Sequence, residues 1–224
     1  MDGSSGRAPF GATARSGPEG GEPMPTADFF GRLGLFVVEE FLDAELRARL
    51  RLEMRSASST PATISRAKGD VVIESMRHTN STHVSAEAEA LLEARLLTLK
   101  PRLEKHFNLP LRGWQTLQFL HYQPGGFYRP HRDNSGRPNA RMITKQRQVS
   151  VVLFLNGEAE EERSDTYSGG ALKFYGLLDD ARAKGYGFPL KGEAGLLTAF
   201  RSTLMHEVTP VTRGERYTIV TWFF

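Results

Sequence analysis

The stretch Tyr122-Gln123-Pro124-Gly125-Gly126-Phe127-Tyr128-Arg129-Pro130-His131-Arg132-Asp133-Asn134 reads as two short strands joined by a tight turn. Pro124-Gly125-Gly126 is the turn signal, and aromatic and apolar residues flank it on both sides, giving strands over 117–123 and 127–133. The same texture continues to the C-terminus. Runs at 148–156, 171–175, 188–191, 196–201, 206–211 and 216–224 are rich in β-branched and aromatic residues, with Gly, Pro and Asn between them. Short strands at this spacing predict a sandwich or barrel. Gly125-Gly126 and Gly169-Gly170 are read as turn glycines, because neither opens a helix after a strand as a phosphate-binding loop would.

Toward the N-terminus the pattern changes. The run 35–41 suits a strand. Asp43 is placed to cap a helix with Leu46, Leu50 and Met54 on one face. Residues 60–84 give only short strands or loops. Ser85 is the next cap, and Leu92, Leu96, Leu99 and Leu103 recur at helical spacing up to Phe107, with Pro101 expected to bend this helix or begin a second. Residues 1–26 are rich in Gly, Pro and Ser, with Phe10 as their lone aromatic before the ordered part, and read as a flexible tail. The expected organisation is therefore a tail at 1–26, a strand and supporting helices at 27–114, and a β core at 115–224. The class is α+β, mainly β, with the helices packed on one sheet.

A chain of 224 residues can bury roughly 70% of its unfolded surface, so it needs no covalent staple. It has no cysteine, which excludes a disulfide framework, thiolate zinc, iron–sulfur ligation and a Cys nucleophile. The net charge of +3 and a pI near 9.3 raise nucleic acid as a partner. No Lys/Arg block of five or more and no basic stripe with interleaved aromatics accompanies that charge, so a solvated surface accounts for it. The longest apolar run, 149–155, is too short to cross a membrane, and the first residues lack the apolar region of a secretory signal. The expectation is a cytoplasmic protein with no membrane partner.

Within the strands, His131 and Asp133 stand two apart, so on a strand their side chains share a face with Cα atoms roughly 6.6 Å apart. Such a pair can grip a metal from one side, or it can simply be solvated. His206 opens a later strand and Arg216 the next, the residues Thr212-Arg213-Gly214-Glu215 suggesting a hairpin between them. Arg216, Thr218, Val220 and Trp222 share a face. An arginine there snorkels to solvent or, if turned inward, needs an anion. Two His and one carboxylate form the facial triad of non-haem Fe(II) oxygenases, which leaves three positions for a 2-oxo acid and O2. The remaining histidines fit less well: His78, His83 and His106 lie outside the core strands, and His121 points away from Tyr122 as a packed or surface imidazole.

On these residues the sequence resembles the Fe(II)- and 2-oxoglutarate-dependent dioxygenases, in their prolyl 4-hydroxylase-like branch. The matching elements are the opening stretch, then 149–156, then Gly169-Gly170-Ala171-Leu172, and His206-Glu207-Val208-Thr209-Pro210-Val211 through Arg216-Tyr217 to Trp222. The resemblance covers about residues 115–224. It implies a double-stranded β-helix (jelly-roll) core with His131, Asp133 and His206 as catalytic iron ligands. Arg216 would hold the far carboxylate of 2-oxoglutarate, with Thr218 assisting and Tyr122 facing that pocket; Trp222 would be a family aromatic near the metal or plain core. Implied cofactors are Fe(II), 2-oxoglutarate and O2, with ascorbate as reductant. The implied reaction is hydroxylation of an unactivated C–H bond, foremost a prolyl residue in a peptide or protein, releasing succinate and CO2. A free amino acid or other small metabolite is the second reading, and a metal-binding jelly roll without turnover the third.

The sequence departs in places from the family it resembles. Collagen-type enzymes have Lys where this chain has Arg216, and a tyrosine of the oxygen-sensing enzymes is replaced here by Phe154. Asp133 is retained, unlike in the related halogenases. Loops at 134–146, carrying Arg137, Arg141 and Lys145, and at 157–168, carrying Glu158, Glu160, Glu161, Glu162 and Asp165, are oppositely charged and read in either of two ways: as solvated loops, or as a lid or substrate-binding pair that meets across the active-site mouth.

Overall fold

In a computed structural model of the chain, the described residues are Met1, 26–161, 163–183 and 185–224. The tail expected at 1–26 and Glu162 of the acidic loop therefore fall almost wholly outside them.

The first helix, α1 (Thr26–Arg32), leads into strand β1 (Phe36–Val38). Helix α2 (Ala44–Ser56) follows, and Asp43 caps it by accepting the Leu46 amide. Five short strands come next: β2 (Thr60–Pro61), β3 (Ile64–Arg66), β4 (Gly69–Val71), β5 (Arg77–His78) and β6 (Asn80–Thr82). Helix α3 (Ala86–Phe107) starts at Ser85, whose hydroxyl accepts the Ala88 amide. It runs unbroken through Pro101, so the second helix expected there does not form. Pro101 is exposed, and so is Leu97, whose carbonyl the missing proline N–H leaves free for water. That exposure makes the proline tolerable.

The remaining elements are β7 (Gln118–Tyr122), β8 (Phe127–His131), helix α4 (Met142–Lys145), β9 (Val149–Phe154), β10 (Gly157–Glu158), β11 (Thr166–Gly169), β12 (Leu172–Tyr175), β13 (Gly187–Leu190), β14 (Leu197–Arg201), β15 (Met205–Val208), β16 (Val211–Arg213) and β17 (Arg216–Phe223). They form the expected jelly roll. One antiparallel sheet has the order β1-β14-β9-β17-β7-β6-β2, and the facing sheet the order β13-β12-β15-β8-β5. Strands β10, β11 and β16 make a small third sheet, and β3 and β4 a hairpin.

Alternation in the larger sheet serves two cores. Phe119, Val151, Leu153 and Ile219 point one way and pack with Leu50, Leu92, Leu99 and Leu103 of α2 and α3. Leu120, Val152 and Phe154 point the other way and meet Leu172, Phe174 and Val208 of the facing sheet. Strand β9 is buried along its whole length because both its faces are covered. Among the described residues, no helix is long and apolar enough to cross a membrane.

The hairpin expected between His206 and Arg216 is absent. Strand β15 bonds to β12 and β8 in one sheet, whereas β17 lies between β7 and β9 in the other. Pro210 ends β15, and β16 pairs with β11 instead of with β17. The chain thus changes sheets between the histidine and the arginine.

Candidate active site

Between the two main sheets lies a cavity of about 240 Å3, and His131, Asp133, His206, Arg216, Thr218, Tyr122 and Trp222 all line it. His131 is the last residue of β8 and stands opposite His206 of β15. The register slips between His206 and Val208, a local irregularity of the kind that re-aims side chains beside functional sites. Asp133 does not lie on the strand, as its spacing from His131 had suggested; β8 ends first, and Asp133 sits in the turn beyond it.

Each imidazole donates Nδ1–H to the backbone carbonyl two residues earlier, His131 to Arg129 at 2.8 Å and His206 to Leu204 at 3.0 Å. Those bonds fix the tautomers and leave both Nε2 lone pairs free. The lone pairs face Asp133: His131 Nε2 is 3.6 Å from Oδ1 and His206 Nε2 is 3.6 Å from Oδ2. These separations are too long for hydrogen bonds. One donor atom from each of the three residues lies within 4.8 Å of the others. Three acceptors converge with no proton between them, which is the donor set a cation satisfies.

Protonation states agree with this. Burial, reinforced by His131, pushes His206 down to about 4, so its ring is neutral. Burial works to raise the Asp133 carboxyl, yet the group lies well below the usual carboxylate range, so it is ionised. A serine pair steadies the carboxylate. Ser150 of β9 donates to Asp133 Oδ2 at 2.7 Å, and the Ser202 hydroxyl lies 2.9 Å from that of Ser150.

Across the cavity, Arg216 is only 1% exposed. Its NH1 donates to Thr218 Oγ1 at 3.3 Å, while Nε and NH2 have no partner. Aromatic rings surround the guanidinium: Tyr122 at 4.9 Å, Phe154 at 5.0 Å and Tyr167 at 6.0 Å from its centre. The hydroxyl of Tyr167 is also buried and unpartnered. Gly170 (φ +63°) makes room for this arginine, since a Cβ there would come within 3.0 Å of Arg216 Cδ. Two orphaned guanidinium nitrogens beside an orphaned hydroxyl form a receptor for an anion.

Residues 117–224 match the family model described as the 2OG-Fe(II) oxygenase superfamily. Over that stretch the chain is similar to the 2OG-Fe(II) oxygenase superfamily. A PKHD-type hydroxylase of Prochlorococcus marinus (strain MIT 9215) is 31% identical over 142 residues, covering 63% of this chain and 55% of that protein. One from Shewanella sp. (strain ANA-3) is 36% identical over 115 residues, covering 51% and 44%. The chain thus spans about half the length of the curated relatives it matches. Among solved structures, a Pseudomonas putida prolyl-4-hydroxylase is 28% identical, with a TM-score of 0.65, covering 88% of this chain and 95% of that one. A Trichoplax adhaerens prolyl hydroxylase, solved with a hypoxia inducible factor peptide fragment, gives a TM-score of 0.68 at 20% identity, covering 88% and 86%, and so shares the fold. The superfamily takes Fe(II), 2-oxoglutarate and O2, and the His131, Asp133 and His206 donor set fits the iron.

Other features were not expected from the sequence. Arg77, Tyr128, Arg147 and Tyr167 complete the surroundings of the site. Tyr128 stacks on His131 at 3.5 Å, and burial raises its hydroxyl to about 12. The charged loops do not pair with each other among the described residues. Arg141 instead reaches Asp70 of the β3–β4 hairpin at 2.6 Å, and both line the mouth of the cavity. Asp165 faces Arg51, and Glu161 faces Arg163 within its own loop. His121 is a packed imidazole, stacked on Tyr217 and 3.2 Å from Glu215.

Proposed function

We propose that this chain is an Fe(II)- and 2-oxoglutarate-dependent dioxygenase that hydroxylates an unactivated C–H bond, with a prolyl residue of a peptide or protein as its target class. One observation carries the reading. Three proton-free acceptors converge from one sheet and its edge, opposite a buried guanidinium with two unpartnered nitrogens on the other sheet. The prolyl target is supported by the likeness to the Pseudomonas putida prolyl-4-hydroxylase.

In this reading His131, Asp133 and His206 hold the metal, and Arg216 takes the distal carboxylate of 2-oxoglutarate in a two-pronged grip. Bound Fe(II), 2-oxoglutarate and O2 together supply the oxidant for C–H cleavage and leave succinate and CO2. Thr218 orients the guanidinium, and the rings of Tyr122, Phe154 and Tyr167 keep water from it. Ser150 holds Asp133 with its charge toward the histidines. No side chain has to act as acid or base. Ascorbate serves as the reductant that restores oxidised iron, and a cytoplasmic setting belongs to the same proposal.

A second reading keeps the chemistry and changes the target to a free amino acid or small metabolite. Arginines beyond Arg216 on the cavity wall favour it, since extra charged anchors suit a small acid. The test is succinate release by the purified protein with Fe(II) and 2-oxoglutarate, screened against peptide and amino-acid pools. Turnover stimulated by one pool is expected. Tight metal and 2-oxoglutarate binding with no succinate from either pool would leave a binding module instead.

A further inference from the structure

Helix α3 buries one face and leaves a second apolar face open. Ala88, Leu92, Leu96, Leu99 and Leu103 pack into the core on the side of the larger sheet away from the cavity. On the outer side, Ala90, Leu91, Ala94, Leu97, Thr98 and Pro101 all fall within about 60° of Ala94 around the helix axis. Every one of them is exposed, Leu91 at 44% and Leu97 at 61%, so nothing among the described residues covers this face. The Thr98 hydroxyl donates back to the Arg95 carbonyl at 2.8 Å, which leaves its methyl at the surface. The charges along this stretch stand on the flanks. Arg95 is tied to Asp43 at 3.0 Å and Lys100 to Glu104 at 2.8 Å, while Glu89 and Glu93 lie on the far flank. A surface helix normally turns charge to water opposite its core face, and about three turns here carry none.

Charge returns at the two ends of the face, with opposite sign. Glu87 stands near the N-terminus, and Lys105 near the C-terminus with Arg102 beside it. Glu87 also meets Arg49 at 3.2 Å in an exposed pair, and Arg102 leans over the Phe36 ring. An apolar stripe with an acid at one end and bases at the other is complementary to its own reverse.

We propose that a second copy of this chain docks here, the two α3 helices running antiparallel about a two-fold axis at Ala94. Leu91 and Leu97 stand three residues either side of Ala94, so Leu91 of each copy shares a layer with Leu97 of the other, as an isologous contact requires. Alanine at the centre lets the axes approach to about 8 Å. At a rise of about 1.5 Å per residue, Glu87 of one copy and Lys105 of the other lie roughly 6 Å apart along the axis. Helix side chains lean toward their own N-terminus, which closes that gap from both sides. A parallel pair would set like charges together. The Leu97 carbonyl, left free by Pro101, can take a bridging water. Both cavities stay open in this dimer, and the proposal is independent of the reaction: absent succinate release leaves it untouched.

The experiment is sedimentation velocity on the full chain from about 1 to 300 μM. A pair of helix faces is small among specific interfaces, so a reversible dimer with a Kd of about 10–100 μM is expected. The double variant Leu91→Gln with Leu97→Gln changes only exposed side chains and should stay monomeric throughout, with its circular dichroism unchanged. Glu87→Lys should weaken the dimer about five-fold or more, and adding Lys105→Glu to the same chain should restore it to within about two-fold. The chain has no cysteine, so single thiols report the direction of pairing. Under mild oxidation Ala94→Cys should link to its own copy, and Glu87→Cys should link to Lys105→Cys but not to itself. A monomer at every concentration, a dimer indifferent to the double glutamine variant, or Glu87→Cys linking to itself overturns the proposal. A chain that dimerises only once residues 1–25 are removed would assign the face to that segment, and overturns it as well.

Discussion

Asp133 is the only anion in the acceptor cluster, so Asp133→Ala leaves two imidazoles and no carboxylate to face a divalent ion. The variant is expected to lose Mn(II) binding by calorimetry and to release no succinate above background. Arg216→Ala acts at the other wall. Truncating one partner of a buried charged pair costs about 2 kcal/mol or more, so the 2-oxoglutarate Kd should rise about thirty-fold or more while Mn(II) affinity stays the same. Unchanged 2-oxoglutarate affinity would refute the role given to Arg216. These residues could be picked out of the sequence because each has a telling neighbour: Asp133 two after His131, at the end of β8, and Arg216 two before Thr218 on β17. Arg77, Arg147 and Tyr167 could not. Arg77 lies in a stretch with no hydrophobic period, and Tyr167 in an acidic loop that reads as solvated. Their places beside the cavity come from contacts with residues distant in sequence, and nothing local encodes those. Phe154, by contrast, offers the guanidinium a ring and no hydroxyl, and Tyr167 brings a buried hydroxyl to the same surroundings.

Among the elements, the helix starts were the most legible, because a cap is a local device. Asp43 and Ser85 each accept an amide three residues on, and the leucine spacing sets the buried face. Ser85→Ala should therefore cost about 1 kcal/mol and lower the thermal midpoint by about 2–4 °C, with 2-oxoglutarate affinity untouched. Strand pairing was the least legible. Residues 212–215 announce a turn, but a turn signal says where the chain bends and not which sheet receives it; here β16 pairs with β11, and β17 inserts between β7 and β9. The mouth of the cavity shows the same limit. Charge alone suggested that the two loops meet, whereas Arg141 meets Asp70 on the β3–β4 hairpin. Half-exposed pairs of this kind are worth up to about 1 kcal/mol. Asp70→Asn should raise the substrate KM by at most about five-fold at low salt, leave the 2-oxoglutarate Kd alone, and lose its effect as salt screens the pair. A KM effect that persists at high salt would mean that Asp70 touches substrate directly.

At the scale of the molecule, the change of sheet between His206 and Arg216 has a mechanical consequence. Two acceptors of the cluster come from β8 and β15 of one sheet, and the guanidinium comes from β17 of the other. In the proposed reading, a metal alone would tie together groups on one wall, and a metal with 2-oxoglutarate would tie wall to wall. Ligands that bind only the folded state stabilise it by mass action, by about 2.7 kcal/mol at a hundred-fold excess over Kd. For a chain of this length that corresponds to a rise in thermal midpoint of about 5–10 °C. Two separate increments are expected by calorimetric melting: one on adding Mn(II), and a second on adding 2-oxoglutarate to the metal-loaded protein. Arg216→Ala should keep the first and lose most of the second, Asp133→Ala should lose both, and chelation should return the wild-type protein to its metal-free midpoint. A full second increment in Arg216→Ala would mean that the cosubstrate binds without bridging the sheets. The cavity would then be a metal site with an unrelated arginine beside it.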